Sequence, residues 1–214
     1  MSVIRLFLRA STLTLLIIVV AACYFAKPYS VFTLHPIAMA CFIGMGSEGL
    51  LAFQSFKLRK KDDGKKRLPL SGQVDTHRGI MTLSLVMLLG GFAAIYTAKN
   101  FKRVPHFATD HAFYGYMIIM WAVGQMVFGA LAFNLKFPRI FHKMHGLSGT
   151  VLLMCASILA FYTQIGKPTS WFTSAANGIP FSHIIPFPQI ASIATAASGV
   201  LIGANYMLNR SGRA

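Results

Sequence analysis

An all-α, polytopic membrane protein, a bundle of six spanning helices, is the architecture to expect from this chain. Its apolar fraction is 55% against 12% charged, with a mean hydropathy of +0.59. Uncharged runs near the roughly 20 residues needed to cross a bilayer recur along the whole sequence of 214 residues. The 20 basic residues sit mainly in the loops between those runs, the distribution that fixes topology in a membrane.

The first run covers about 10–26, behind Arg5 and Arg9. Val20-Ala21-Ala22-Cys23 gives it the look of a cleavable signal, even a lipoprotein one. It is long for a signal core and more runs follow, so a retained helix is expected. The second covers about 31–56, with His35 near its start and Glu48 deeper in. Residues 57–67, Lys-Leu-Arg-Lys-Lys-Asp-Asp-Gly-Lys-Lys-Arg, then form a solvated loop closed by Pro69. So basic a short loop stays in the cytosol. The remaining spans cover about 74–98, 107–133, 144–165 and 184–208. The outer loop at about 167–186 reads as an interfacial cap, with Trp171 in the aromatic belt. One transmembrane domain over 1–214 is expected, with a four-helix core at about 30–166 and peripheral helices at about 10–26 and 184–208.

Six spans place both termini on the same side as the basic loop, in the cytosol. Arg5, Arg9, Lys136, Arg139, Lys143, Arg210 and Arg213 fall there too. Lys27, Lys99, Lys102, Arg103 and Lys167 fall on the opposite face. The net charge of +15 is therefore a topology signal, and no nucleic-acid partner is expected. Cys23, Cys41 and Cys155 lie within apolar runs and are odd in number, as small buried hydrophobes rather than a disulfide framework. No GxGxxG follows a strand and no phosphate loop occurs, so no nucleotide-binding module is expected.

Ionisable side chains near the bilayer are costly and usually face the bundle interior, where they serve a site. His35, His77, His111 and His145 each stand within a few residues of the start of a separate run, on spans two to five. Alternation of the spans puts His35 and His111 near the non-cytosolic face, and His77 and His145 near the cytosolic one. Two depth-matched pairs of neutral imidazoles read as two bis-histidine haem sites in a bundle core. Structural zinc wants four close ligands and catalytic zinc three, and no acidic or Cys partner lies at matching depth. One turn on stand Met39, Met81, Gly115 and Gly149, small or flexible residues that leave room for a flat macrocycle. Asp75 and Asp110 are open to two roles, as acceptors orienting His77 and His111 or as helix caps. His106, His142 and His183 have no such pairing.

The order Leu-His-Pro, Thr-His-Arg-Gly, Asp-His-Ala-Phe-Tyr-Gly and Met-His-Gly-Leu-Ser-Gly across spans two to five resembles the eukaryotic cytochrome b561 family. The likeness is to its domain-containing, tumour-suppressor-like branch, and Glu48-Gly49-Leu50-Leu51-Ala52-Phe53 is similar to that branch's end of span two. The resemblance covers about 30–160 well and the ends loosely. It implies two b haems per chain, on His35/His111 and His77/His145. It also implies electron transfer from cytosolic ascorbate to monodehydroascorbate radical or ferric iron on the far side. An endomembrane (endoplasmic reticulum or vesicle) or the plasma membrane is the setting it implies, with membrane lipid around the chain and a homodimer left open. The chain departs from the ascorbate-using members at Gln54, where they carry a basic residue, and at Ser71-Gly72-Gln73-Val74, where they carry a lysine. Thr109-Asp110-His111-Ala112-Phe113 replaces their Ser-Leu-His-Ser-Trp. Arg78 and Lys143 are the nearest cytosolic bases for an anionic donor, although topology or haem propionates could equally require them. Lys102, Arg103 and His106 are the candidates for the acceptor. Two other functions stay open: a transporter using Glu48 and the histidines as a relay, and a haem-bearing membrane subunit of a separate dehydrogenase.

Overall fold

The computed structural model describes residues 3–26, 29–54, 71–165 and 168–211. Among them lie seven helices: α1 (Val3–Phe25), α2 (Leu34–Gln54), α3 (Ser71–Lys102), α4 (Asp110–Asn134), α5 (Arg139–Ala160), α6 (Trp171–Asn177) and α7 (Phe187–Ser211). A 3-10 turn at Val31–Thr33 leads into α2 and a π turn at Phe161–Ile165 extends α5. Six helices, all but α6, are long and apolar enough to cross a membrane. The basic 57–67 loop, Lys27, Lys167 and Arg213 lie outside the described residues.

Local chemistry sets the boundaries that periodicity misplaced. Span four starts at Asp110 and not 107, because Thr109 is extended and its hydroxyl accepts from the backbone N–H of Ala112. Asp110 is therefore the first helical residue, favourable beside the helix dipole, and not the cap. The turn before it holds Arg103 and Phe107 at φ 52° and 58°. Span five starts at Arg139, behind Pro138, and not at 144. His145 consequently sits in the second turn, deeper than expected. Pro36 falls in the first turn of α2, where its missing N–H costs nothing. The outer loop contains α6, capped by Ser170 on the N–H of Thr173. Trp171 packs against Phe32, edge to face at 4.9 Å, and lines the cavity around His35 and His111.

The helices form two antiparallel pairs, α2 with α3 and α4 with α5. Glycines set the closeness of the first pair. A methyl group added at Gly91 would meet Met39 and Ala38 across the interface, and one at Gly49 would meet Met81. Between the pairs direct contact is sparse, for α3 with α4 and for α2 with α5. A gap thus runs between two tightly packed layers. Helices α1 and α7 pack on each other and cover the flank formed by α2 and α5. The central α2 has 44% of its apolar stretch buried, whereas α3 and α4 have 22% each, so the last two lie at the outside of the bundle.

Two apolar cores stabilise this arrangement. One lies at mid-depth and joins Phe42 and Ile43 of α2, Leu88 of α3, Ile118 of α4 and Leu153 of α5. The other ties α6 to α1 and α7 through Leu15, Ile18, Phe172, Ala176 and Ala191. Polar side chains inside the bundle bond locally. Ser47, Ser157, Thr195 and Ser198 each donate to the carbonyl four residues back, which satisfies hydroxyls that lipid could not.

Candidate functional site

Each helix pair sends one histidine into the gap at two levels. His35 of α2 meets His111 of α4 with ring centroids 6.1 Å apart and planes at 85°. His77 of α3 meets His145 of α5 at 6.4 Å and 87°. These are the two pairs expected from the alternation of spans.

Backbone carbonyls orient the two histidines of the first helix pair. His35 Nδ1–H donates to the carbonyl of Gly91 at 3.0 Å, and His77 Nδ1–H to that of Gly49 at 2.9 Å. A carbonyl only accepts, so Nδ1 carries the proton in both rings and Nε2 keeps its lone pair for the gap. The bonds are reciprocal: α2 lends its histidine to α3 at one level, and α3 lends its own to α2 at the other. On the Nδ1 side of His77 the backbone thus does the work that Asp75 was a candidate for.

The geometry fits haem. A metal sits about 2 Å from an imidazole nitrogen, with the ring centroid about 1 Å further back. Two imidazoles holding one iron between them would therefore stand with centroids about 6 Å apart. Both pairs meet that distance. Among the described residues no group of three or more His, Cys, Asp or Glu gathers, so neither level offers a zinc ligand set. Around His35 and His111 lies a cavity of about 350 Å³, walled by Met39, Phe92, Gly115 and Tyr116 among others. A methyl group on Gly115 would meet nothing within 4 Å. At the other level the ring of His145 lies directly on Gly129, where an added methyl would stand 2.6 Å from Cε1. Of the residues four positions after each histidine, Met39 and Gly115 border the space as expected. Met81 instead packs on Gly49, and Gly149 faces Gln125.

The candidate substrate residues separate by place. Arg78 stacks over the ring of Phe133 at 4.3 Å, and its Nη2 donates to Asn134 Oδ1 at 3.2 Å, so it fastens α3 to the end of α4. Lys143 is exposed two residues before His145. On the opposite face, His106 stacks on Tyr96 at 4.2 Å, bonds Asn100 Oδ1 at 2.9 Å, and lines the cavity. Lys102 and Arg103 are exposed and stand outside the cavity wall. Lys99 lines it instead, with Nζ donating to the carbonyl of Pro105 at 3.2 Å. The helical spacing of Phe92, Tyr96 and Lys99 carried that signal. Glu48 is taken up by Arg9, Nε to Oε1 and Nη2 to Oε2 both at 2.7 Å, a bidentate pair that ties α2 to α1.

The profile of the family described as eukaryotic cytochrome b561 matches residues 34–173, a stretch that holds all four paired histidines. The chain belongs to that family. It is also similar to the transmembrane reductase CYB561D2 of Bos taurus, 29% identical over 175 residues, which are 77% of this chain and 73% of that protein. As a cytochrome b561 it is a multi-pass membrane protein of a haem b family that moves electrons across membranes.

Proposed function

We propose that this cytochrome b561 is a transmembrane reductase carrying two b haems, one held by His35 and His111 near the non-cytosolic face and one by His77 and His145 near the cytosolic face. The observation that supports this reading is the pair of cross-gap imidazole contacts near 6 Å, at two depths. Bound there, haem supplies a one-electron redox centre at each level. The chain itself does the rest. The carbonyls of Gly91 and Gly49 hold the Nδ1 protons and aim each Nε2 into the gap. His35 and Gly49 lie fourteen positions apart on α2, about 21 Å at 1.5 Å per residue. That span fits within the roughly 30 Å hydrocarbon core. Between the levels Phe42, Leu88, Ile118 and Leu153 exclude water and ions, so electrons can cross where protons and salt cannot.

The donor in this reading is ascorbate on the cytosolic side, and the acceptor is monodehydroascorbate radical or ferric iron on the other. The likeness to a bovine transmembrane reductase supports reductive electron transfer across a membrane. Lys143 offers an exposed positive charge beside His145, and Lys99 and His106 offer a polar rim to the outer cavity. In this reading both termini and the 57–67 loop lie in the cytosol, which their basic residues favour.

Purified protein assayed as the pyridine haemochrome should give close to two haems per chain; one or none would overturn the reading. His77→Ala or His145→Ala should stop reduction by a cytosol-side donor. His35→Ala or His111→Ala should preserve it and abolish transfer to an outside acceptor. Identical behaviour of all four folded variants would break the assignment of pairs to faces.

A further inference from the structure

The four histidines are not held alike. Both in the α2/α3 pair rest on a glycine carbonyl, whereas His145 Nδ1 is buried without a hydrogen-bond partner among the described residues. One other atom in the α4/α5 interface shares that condition, the side-chain oxygen Oε1 of Gln125. The two helices run antiparallel, with Gly129 level with His145 and Gln125 level with Gly149. An added methyl at Gly129 would stand 2.6 Å from His145 Cε1, and one at Gly149 would stand 3.8 Å from Gln125 Oε1. Gln125 and Gly129 are one helical turn apart, about 6 Å. A buried donor and a buried acceptor therefore face the same interface one turn from each other. That separation is spanned by a single water or by rotation of the long Gln side chain.

Leaving either atom unpaired is costly, and buried polar groups in native proteins are almost always satisfied, often through water. With Nε2 committed to a metal, Nδ1 of His145 must carry the proton and needs an acceptor. Oε1 can only accept. We propose that Gln125 is the positioning residue for His145, accepting from its Nδ1–H directly or through one water, and so fixes the ring's tautomer and plane. This rests on His145 being an axial ligand of the cytosolic haem. An acceptor on the far nitrogen makes an imidazole more electron-rich toward its metal and favours the ferric state. Gln125 then sets the potential of one haem and leaves the other alone, whereas the carbonyl partners of His35 and His77 cannot be changed by side-chain substitution.

The test is potentiometric titration of detergent-purified holoprotein, with the two haems resolved by low-temperature absorbance and ferric low-spin electron paramagnetic resonance. Haem content is measured alongside. In Gln125→Leu, similar in size but unable to accept, the ferrous-to-ferric ratio of the cytosolic haem at fixed ambient potential should rise about three- to tenfold. Its resonance position should shift. In Gln125→Glu, a stronger acceptor, the ratio should fall. In both, the outer haem should titrate as in wild type. Opposite shifts confined to one haem support the proposal. No shift, shifts of the same sign, or equal changes in both haems overturn it. If Gln125→Leu is recovered without haem, Gln125→Glu against wild type decides, a lower ratio supporting and an equal or higher one overturning. A wild-type protein that itself lacks haem would fail the ligand assignment first, which separates the two claims.

Discussion

At the scale of single residues, neighbouring glycines divide into those that admit a side chain and those that do not. Gly90 and Gly91 are adjacent on α3, yet an added methyl meets nothing within 4 Å at Gly90 and stands 2.9 Å from Ala38 Cβ at Gly91. Ala38 belongs to the facing helix and cannot move without its backbone, so overpacking there should cost about 1–3 kcal/mol. Gly90→Ala should leave the melting temperature unchanged or raise it, since alanine is the better helix former by about 1 kcal/mol. Gly91→Ala should lower it and, through the carbonyl that holds His35, reduce occupancy of the outer haem. Gly129→Ala pushes on the His145 ring and should reduce the inner haem instead, while Gly124→Ala, with open space around it, should not. Melting curves and haem spectra of the four variants check these expectations.

At the scale of elements, α1 adds no histidine to the gap and acts through packing and through the Arg9–Glu48 ion pair. Arg9 sits in the second turn of α1, and Glu48 in the second-last turn of α2, one residue before the Gly49 whose carbonyl holds His77. A bidentate pair between spanning helices fixes their rotation and height, which apolar contacts against lipid do not. Replacing one partner should therefore destabilise the fold more than replacing both. A double-mutant cycle of Arg9→Met and Glu48→Leu should give a coupling of about 0.5–3 kcal/mol, read from thermal unfolding in detergent. Additive effects would make the pair incidental. The reciprocal bonds of α2 and α3 predict a related asymmetry. Loosening α2 by Glu48→Leu should broaden the resonance of the His77 haem before that of the His35 haem.

At the scale of the whole molecule, the proposed redox path runs through an apolar interior, with exposed charge such as Lys143 near a helix end. If an anionic donor docks at the cytosolic face, exposed Lys143 and the basic loop act by attraction over about 10 Å at 0.1 M salt. Reduction of proteoliposomes by external ascorbate should slow several-fold as salt rises, and Lys143→Ala should flatten that slope. Arg78→Ala is the poorer probe, because Arg78 also joins α3 to Phe133 and Asn134. A rate indifferent to salt and to Lys143 would reject charge-guided docking and leave the haem assignments standing.

Much of this protein was legible in the chain because membranes impose simple rules. Run length, loop charge and the cost of ionisable groups in lipid were enough to give six spans. They also singled out His35, His77, His111 and His145 as residues that needed a purpose. The motifs around those histidines carried the family as well. Local sequence was less decisive at the ends of helices, where Thr109 and Pro138 outweighed the apolar pattern and set His145 a turn deeper. Other features depended on which helix faces which. The gap between two glycine-packed pairs, the carbonyls of Gly49 and Gly91 as orienting partners, and Arg9 as the partner of Glu48 all join residues distant in the chain. Hydropathy reports how a residue fares against lipid. Only packing reports which neighbour replaces that lipid, and the site is made of such neighbours.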